Sequence, residues 1–282
     1  MEAAKQSELA ARADYIPIAE QRTRLQAIWH AHQGKITRTV AIVFVLAFWE
    51  GVVRSGAVDP LFLSSPYLVI VKLVEMFSTG EIWPHILVST QEASLGFGLA
   101  IAVGIPLGIA MGRMPLLRYT LEPFIMAKYS SPTVAFLPLL IIWLGIGLWS
   151  KVALIFLGAV FVLIINTEAG VSNVDRRLIE TARSFTASER QILTKIIFPA
   201  TIPFIIAAMR LAIGRVLIMV VVAELYASTA GLGYLVFQAG AMYDTTLVFV
   251  GVIILAFAGI VFSEFLRIAE RRVAPWLQAR EG

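Results

Sequence analysis

"ETARSFTASERQILTKIIFPA", residues 180–200, is a polar, helix-forming stretch set between long apolar runs. Leu178, Ile179, Ala182 and Phe185 fall on one face of a helix, and Ile192, Ile196 and Ile197 continue an apolar stripe. Ser172 or Asn173 stands where it would cap a first helix through "VDRRLIETARSF". A second helix begins near "TASERQ", where Thr186 with Glu189, or Ser188 with Gln191, has the spacing of a capping box. That helix ends before Pro199. The segment therefore reads as an amphipathic helix–turn–helix, an elbow too polar to enter lipid and too short to be a domain. Two readings stand: a helical pair resting on the protein's own surface, or a docking element for a partner's groove.

The rest of the chain explains why such an elbow is conspicuous. Of 282 residues, 59% are hydrophobic and 15% charged, whereas soluble domains carry about a quarter charged residues. Mean hydropathy is +0.82, so the chain reads as an integral membrane protein. It has no cysteine, which excludes disulfides, thiolate metal sites and cysteine nucleophiles. A membrane helix needs about twenty mainly apolar residues. Six stretches qualify: 39–55, 88–111, 121–146, 151–168, 201–224 and 246–266. Pro123, Pro132 and Pro138 cut the third, which predicts a kinked or broken helix.

The remaining segments are an N-terminal one (1–38), a loop (56–87) with a short helix starting at Pro66 after Ser65, the elbow (172–199) and a tail (267–282). The bland reading of the Pro66 helix is an interfacial one. Basic residues alternate between loops. Lys5, Arg12, Arg22, Arg24, Lys35 and Arg38 precede the first span, and Arg113 and Arg118 follow the second. Arg176, Arg177, Arg183, Arg190 and Lys195 lie in the elbow, and Arg267, Arg271, Arg272 and Arg280 in the tail. Loop 56–87 has only Lys72, and 225–245 has no Lys or Arg. This bias places both termini and the elbow in the cytoplasm. It also accounts for the net charge of +4 without nucleic acid. The opening 37 residues are too long and polar for a signal n-region, so the first span is expected to be an uncleaved anchor.

With these residues in view, "ETARSFTASERQILTKIIFPATIP" resembles the signature cytoplasmic loop of ABC importer permeases. Glu180, Ala182, Ala187, Ser188, Pro199 and Pro203 match its pattern. Thr181 replaces an alanine, and Thr186 replaces the glycine that makes the turn, so either Thr186 serves as a cap or the loop carries strain. The likeness extends in order through "FWEGVVRSG", "STQEASLGFGLAIAVGIPLGIAMG", "FLPLLIIWLGIGLWSK", "INTEAGV", "MRLAIGR", "VVAELYASTAGLGYLV" and "ERRVAPW", about residues 45–276. These are similar to the nitrate/sulfonate/taurine branch.

The resemblance implies an all-α polytopic fold of six transmembrane helices, the ABC type-1 permease fold, with 88–266 as the core domain. It implies a bacterial inner-membrane, multi-pass subunit carrying a small, mostly anionic solute, with no catalytic residues and no cofactor of its own. "GIGLWSK" lacks the phosphate-wrapping Gly-Lys-Ser/Thr, so ATP and Mg belong to a partner. The implied partners are two copies of an ABC ATPase, a second permease copy in a homodimer and a periplasmic binding protein. Glu180, Thr181, Ala182, Arg183, Ser184, Phe185, Thr186, Ala187 and Ser188 would form the ATPase-coupling surface, moved by nucleotide-driven closure.

Several residues outside the elbow bear weighing. Gly96, Ala100, Gly104, Gly108 and Gly112 recur every fourth position, a spacing that lets membrane helices approach closely. Arg210, Arg215 and Glu224 lie inside the fifth span, where an exposed charge is costly, so they are expected to face the interior in a structural or gating role, or to line the translocation path. Glu50, Glu92 and Glu264 stand near span ends, within reach of the interface. "GLGY" (231–234) reads as a turn. His30, His32 and His85 read as solvated, with no metal-binding spacing. A secondary transporter or channel working without an ATPase is the competing function. It expects ionisable relays or inverted repeats, and neither is evident. A membrane-embedded enzyme lacks a nucleophile–base constellation.

Overall fold

A computed structural model describes residues 18–59 and 61–273. Lys5, Arg12 and Arg280 lie outside the described residues, as do the side chains of Arg22, Arg24, His30, His32, Lys35 and Arg271. The described chain is all-α. Two compact units divide between Tyr67 and Leu68. The first holds α1 (Ile18–Arg54). Within it, Glu50 pairs with Arg54 at 2.6 Å and accepts a 3.1 Å hydrogen bond from the Tyr67 amide. That amide lies in the first turn of α2 (Pro66–Thr79), where helix N–H groups lack intrahelical partners.

The second unit contains most of α2, then α3 (Trp83–Arg113), α4 (Pro115–Ser130), a 3₁₀ turn (Thr133–Phe136), α5 (Leu137–Leu144) and α6 (Leu148–Ser172). The elbow helices α7 (Arg176–Ser184) and α8 (Glu189–Ile192) follow, then a π-helical turn (Leu193–Ile197) and α9 (Phe198–Ala227). Last come α10 (Leu232–Ala241) and α11 (Thr245–Val273). Among the described residues, five helices are long and apolar enough to cross a membrane, or six if α4 and the segment Thr133–Leu144 form one broken span, bent by 97°. The break falls at Ser131–Pro132, where the proline supplies no backbone donor.

The central helix is α6, packed between α3 and α9. Close approach on the α3 side depends on glycine. An added Cβ at Gly96 would lie 2.6 Å from Ile155 Cβ, at Gly104 2.9 Å from Leu163 Cβ, at Gly108 2.7 Å from the Ile164 carbonyl oxygen, and at Gly112 2.6 Å from Val171 Cβ. Spaced by eight, four and four, these positions form one stripe from the middle of α3 to its C-terminal end. On the other face, Gly158 accepts Met219 and Gly170 accepts Phe204. A second apolar cluster joins Val69, Met76 and Ile82 to Leu232, Leu235, Val250 and Ile254. The Pro66 helix packs on protein through Val69 and Met76, while Tyr67, Ile70, Val74 and Phe77 stay exposed on it.

A glycine on the stripe and one off it should respond in opposite ways. Gly108→Ala forces a methyl onto a backbone oxygen and should cost about 1–3 kcal/mol. Gly98→Ala, with nothing within 4 Å of the new carbon, should be neutral or slightly stabilising. Thermal unfolding of both variants in detergent reads the difference.

Candidate functional site

The elbow is capped at each turn. Asp175 is the N-cap of α7, accepting a 2.8 Å hydrogen bond from the Arg177 amide. The sequence pointed instead to Ser172 or Asn173; both belong to the end of α6, which continues to Ser172 with Asn173 as its C-cap. After α7 the Ala187 amide donates to the Ala182 carbonyl (3.0 Å) and the Thr186 amide to the Arg183 carbonyl (2.9 Å). This is a Schellman motif, with Thr186 in the left-handed position at φ +58° where glycine is usual. The loop therefore carries strain of about 1–2 kcal/mol. The capping box is made by Ser188 and Gln191, not by Thr186 and Glu189.

One side of the elbow is fixed. Val171, Val174, Ile192 and Ile197 form a small buried core, against which Ile179, Ala182, Ala187 and Ile196 pack. Glu189 pairs with Arg113 at the end of α3 and with Arg183 on α7. The other side is open. Phe185 is 80% exposed and Leu178 55%, so the predicted apolar face is split: Ile179 and Ala182 turn inward while Leu178 and Phe185 turn out. Glu180, Thr181, Arg183, Ser184, Thr186 and Ser188 are exposed beside them.

Within the spans, charges are partnered across helices. Glu224 is fully buried. It accepts from Ser89 Oγ at 2.5 Å and from the Gly233 amide at 2.6 Å, while Ser89 Oγ accepts from the Leu232 amide at 2.8 Å. The "GLGY" stretch is therefore strapped to α3 and α9 by orphan amides at the start of α10. Gly231, at φ +126°, leaves the room that the Glu224 carboxylate fills.

His85 joins the strap, its Nδ1 3.2 Å from the Gly231 nitrogen and 3.0 Å from the Gly231 carbonyl. It is half-buried, not solvated as its loop position suggested. Glu92 is 1% exposed and pairs with Lys151, which also donates to Ser228 Oγ at 3.0 Å. It too departs from the expectation of an interfacial carboxylate, and Lys151 went unnoticed in the sequence. Arg210 pairs with Glu270 at 2.7 Å, joining α9 to α11. Glu264 pairs with Arg267.

Arg215 differs. Its guanidinium lies 4.6 Å from the centre of the Tyr129 ring, and neighbouring Lys128 sits 4.6 and 5.4 Å from the rings of Phe136 and Phe161. Lys128 also donates to Thr133 Oγ1 at 3.1 Å. No carboxylate pairs with either cation among the described residues. Sequence reasoning missed Lys128, though a lysine inside a proline-cut apolar segment was signal enough. No group of His, Asp and Glu that could hold a metal occurs among the described residues.

Residues 104–275 match the family described as "Binding-protein-dependent transport system inner membrane component". The chain belongs to this family. It is the permease subunit of an ABC importer, an inner-membrane component and not an enzyme; the ATPase of such systems is a separate chain. It is 34% identical over 238 residues to the putative aliphatic sulfonates transport permease protein SsuC of Bacillus subtilis, covering 84% of this chain and 86% of that one. It is 34% identical over 258 residues to the taurine transport system permease protein TauC of Escherichia coli, covering 90% and 94%. The riboflavin transport system permease protein RibX of Chloroflexus aurantiacus is 29% identical, covering 93% and 97%.

Solved permeases share the fold. The MetNI methionine ABC transporter in an inward-facing form aligns with TM-score 0.57 at 18% identity, covering 70% of this chain and 97% of that one. A bacterial alginate ABC transporter in complex with its pentasaccharide-bound periplasmic protein aligns with TM-score 0.54 at 14% identity, covering 87% and 98%.

The Glu92–Lys151 pair gives a sharp stability test of this permease. Lys151→Met leaves a buried carboxylate alone and should cost about 3–5 kcal/mol, whereas the double change Glu92→Leu with Lys151→Met should recover most of that loss. Denaturant unfolding of the three proteins measures the coupling.

Proposed function

We propose that the elbow couples this permease to its ATPase and that the cargo is a small organic anion of the sulfonate class. The observation that carries the coupling is the outward apolar face of α7. Phe185, at 80% exposure, and Leu178, at 55%, stand on a helix held rigidly from behind by Asp175, Glu189 and the Ile192–Ile197 core. A pre-ordered amphipathic helix presenting an apolar patch with flanking charges suits a groove in another protein. Glu180, Thr181, Ala182, Arg183, Ser184, Phe185, Thr186, Ala187 and Ser188 make up the coupling surface, with both termini on the same cytoplasmic side. The alternating basic loops support that topology.

Two ATPase copies and two permease copies form the working unit, since each chain offers one elbow and two-fold closure is the usual symmetry. ATP and Mg bind the ATPase. A periplasmic binding protein delivers the solute, so a site within the membrane path can be weak and need only hold the solute in passing. Relatives named for aliphatic sulfonates and taurine support the sulfonate class for the cargo. The glycine stripe Gly96, Gly104, Gly108 and Gly112 holds α3 on α6 as a fixed frame, and the Glu224 strap holds the outer loop shut. Glu224 and Arg210, both partnered within the protein, thus serve structure.

Glu180→Lys and Phe185→Ala should each leave the permease inserted at normal level, yet lower substrate-stimulated ATP hydrolysis of the full complex by about tenfold or more. Hydrolysis by either variant at the parent's stimulated rate would refute coupling through α7. ATP-dependent uptake of labelled ethanesulfonate by the complex in proteoliposomes, with its binding protein, checks the cargo.

A further inference from the structure

Lys128 and Arg215 form a cationic pair deep in the membrane, and three helices agree on its depth. Lys128 lies 13 residues along α4 and Arg215 17 along α9. At 1.5 Å per residue both stand roughly 20–26 Å from the ends near the elbow. Phe161, on α6, is 11 residues from the elbow end of that helix, roughly 17 Å. All three fall within a hydrocarbon core about 30 Å thick.

A cation there is costly unless a counter-charge or water meets it. The acidic groups nearest along these elements are taken: Glu122 and Glu168 both pair with Arg118, at 3.4 and 3.0 Å. Aromatic faces supply part of the compensation, yet neither ring nor Thr133 neutralises the charge. The pair also sits at the 97° break in the third span. Irregular backbone at membrane depth survives only where protein buries it or where it lines water. Tyr129, Ser130, Pro132, Val134 and Ala135 around this break are left uncovered by this chain, so the break is open to water or to a second copy of the permease.

Resting on the sulfonate reading above, we infer that Lys128 and Arg215 are the station at which the translocated anion is held midway. The ammonium and guanidinium donate to the oxygens of a sulfonate-like head. The Thr133 hydroxyl accepts from Lys128 and keeps its own hydrogen to donate to the same head. Tyr129, Phe136 and Phe161 present apolar walls to a short alkyl tail. The site thus selects amphiphilic organic anions over uncharged solutes. It assigns to α4 a role that Arg210, tied to Glu270, and Glu224, buried in the outer strap, do not share.

The test uses the permease with its ATPase and binding protein in proteoliposomes, with labelled ethanesulfonate as probe. Lys128→Met and Arg215→Met should each lower uptake about tenfold, the worth of a charge-assisted hydrogen bond, while Lys128→Arg, which keeps the charge, should retain more uptake than Lys128→Met. Because the permease has no cysteine, Lys128→Cys provides a check independent of folding. Reaction of the assembled complex with a cationic aminoethyl thiosulfonate should restore uptake, and reaction with a neutral methyl thiosulfonate should not. Parent-level uptake by the Lys128→Met/Arg215→Met double variant would overturn the station while leaving the sulfonate reading intact. Equal rescue by the neutral and cationic reagents would overturn it too. Uptake by the parent complex of uncharged solutes only would overturn the sulfonate reading and the station together.

Discussion

A charged or polar group inside a bilayer has to find its partner within the protein, and this requirement organises the permease. Glu224 is answered by Ser89 and the Gly233 amide, Glu92 by Lys151, and Arg210 by Glu270. Apart from the nine-residue step from Glu224 to Gly233, these ties join helices that the sequence keeps far apart. Unlike the surrounding dispersion contacts, each has a definite direction and a definite partner. The apolar packing decides how closely the helices lie, and the polar ties decide which heights along them face each other. The glycine stripe makes the second job possible: α3 lies close enough to α6 for a carboxylate on one to reach an ammonium on the other.

The same requirement separates frame from path. Where a carboxylate has its donor or its cation, as Glu224 has Ser89 and the Gly233 amide and Glu92 has Lys151, the group is almost wholly buried and the structure is strapped. At the break in the third span, two cations rest on aromatic rings without a carboxylate, and exposed irregular backbone adjoins them. A fully compensated cluster would hold its spans together but offer nothing to a passing ion. An incompletely compensated one serves the opposite purpose.

The elbow was legible because a polar amphipathic helix pair between apolar runs has few alternative explanations, and capping-box spacing marks its second helix. Its detailed edges were not. Asp175, and not Ser172 or Asn173, caps α7 because α6 runs on beyond the apolar span, and hydropathy is blind to a helix that continues past the membrane. Periodicity placed Leu178 and Phe185 with Ile179 and Ala182. It describes a face, though, and not what covers it; the packed core claims one edge of that face and leaves the other bare. The glycine spacing was equally plain, since a four-residue repeat of small side chains is a local signal. Pairings such as Glu92 with Lys151, His85 with Gly231 and Arg215 with Tyr129 depend on which spans lie side by side, which no single stretch encodes. Thr186 departs from the usual glycine in the sequence itself, and it occupies the left-handed position with the strain that this entails.

The passage from elbow to span has a mechanical consequence. From Glu189 through the π turn to Ala227 the helix is continuous over 39 residues, roughly 58 Å of rod at 1.5 Å per residue. A rotation of about 5° pivoted at the elbow would sweep the far tip through about 5 Å at that length, comparable to one helical turn. Under the proposed coupling through α7, a small angular displacement of the ATPase would be magnified into a stroke wide enough to admit or shut out a small solute.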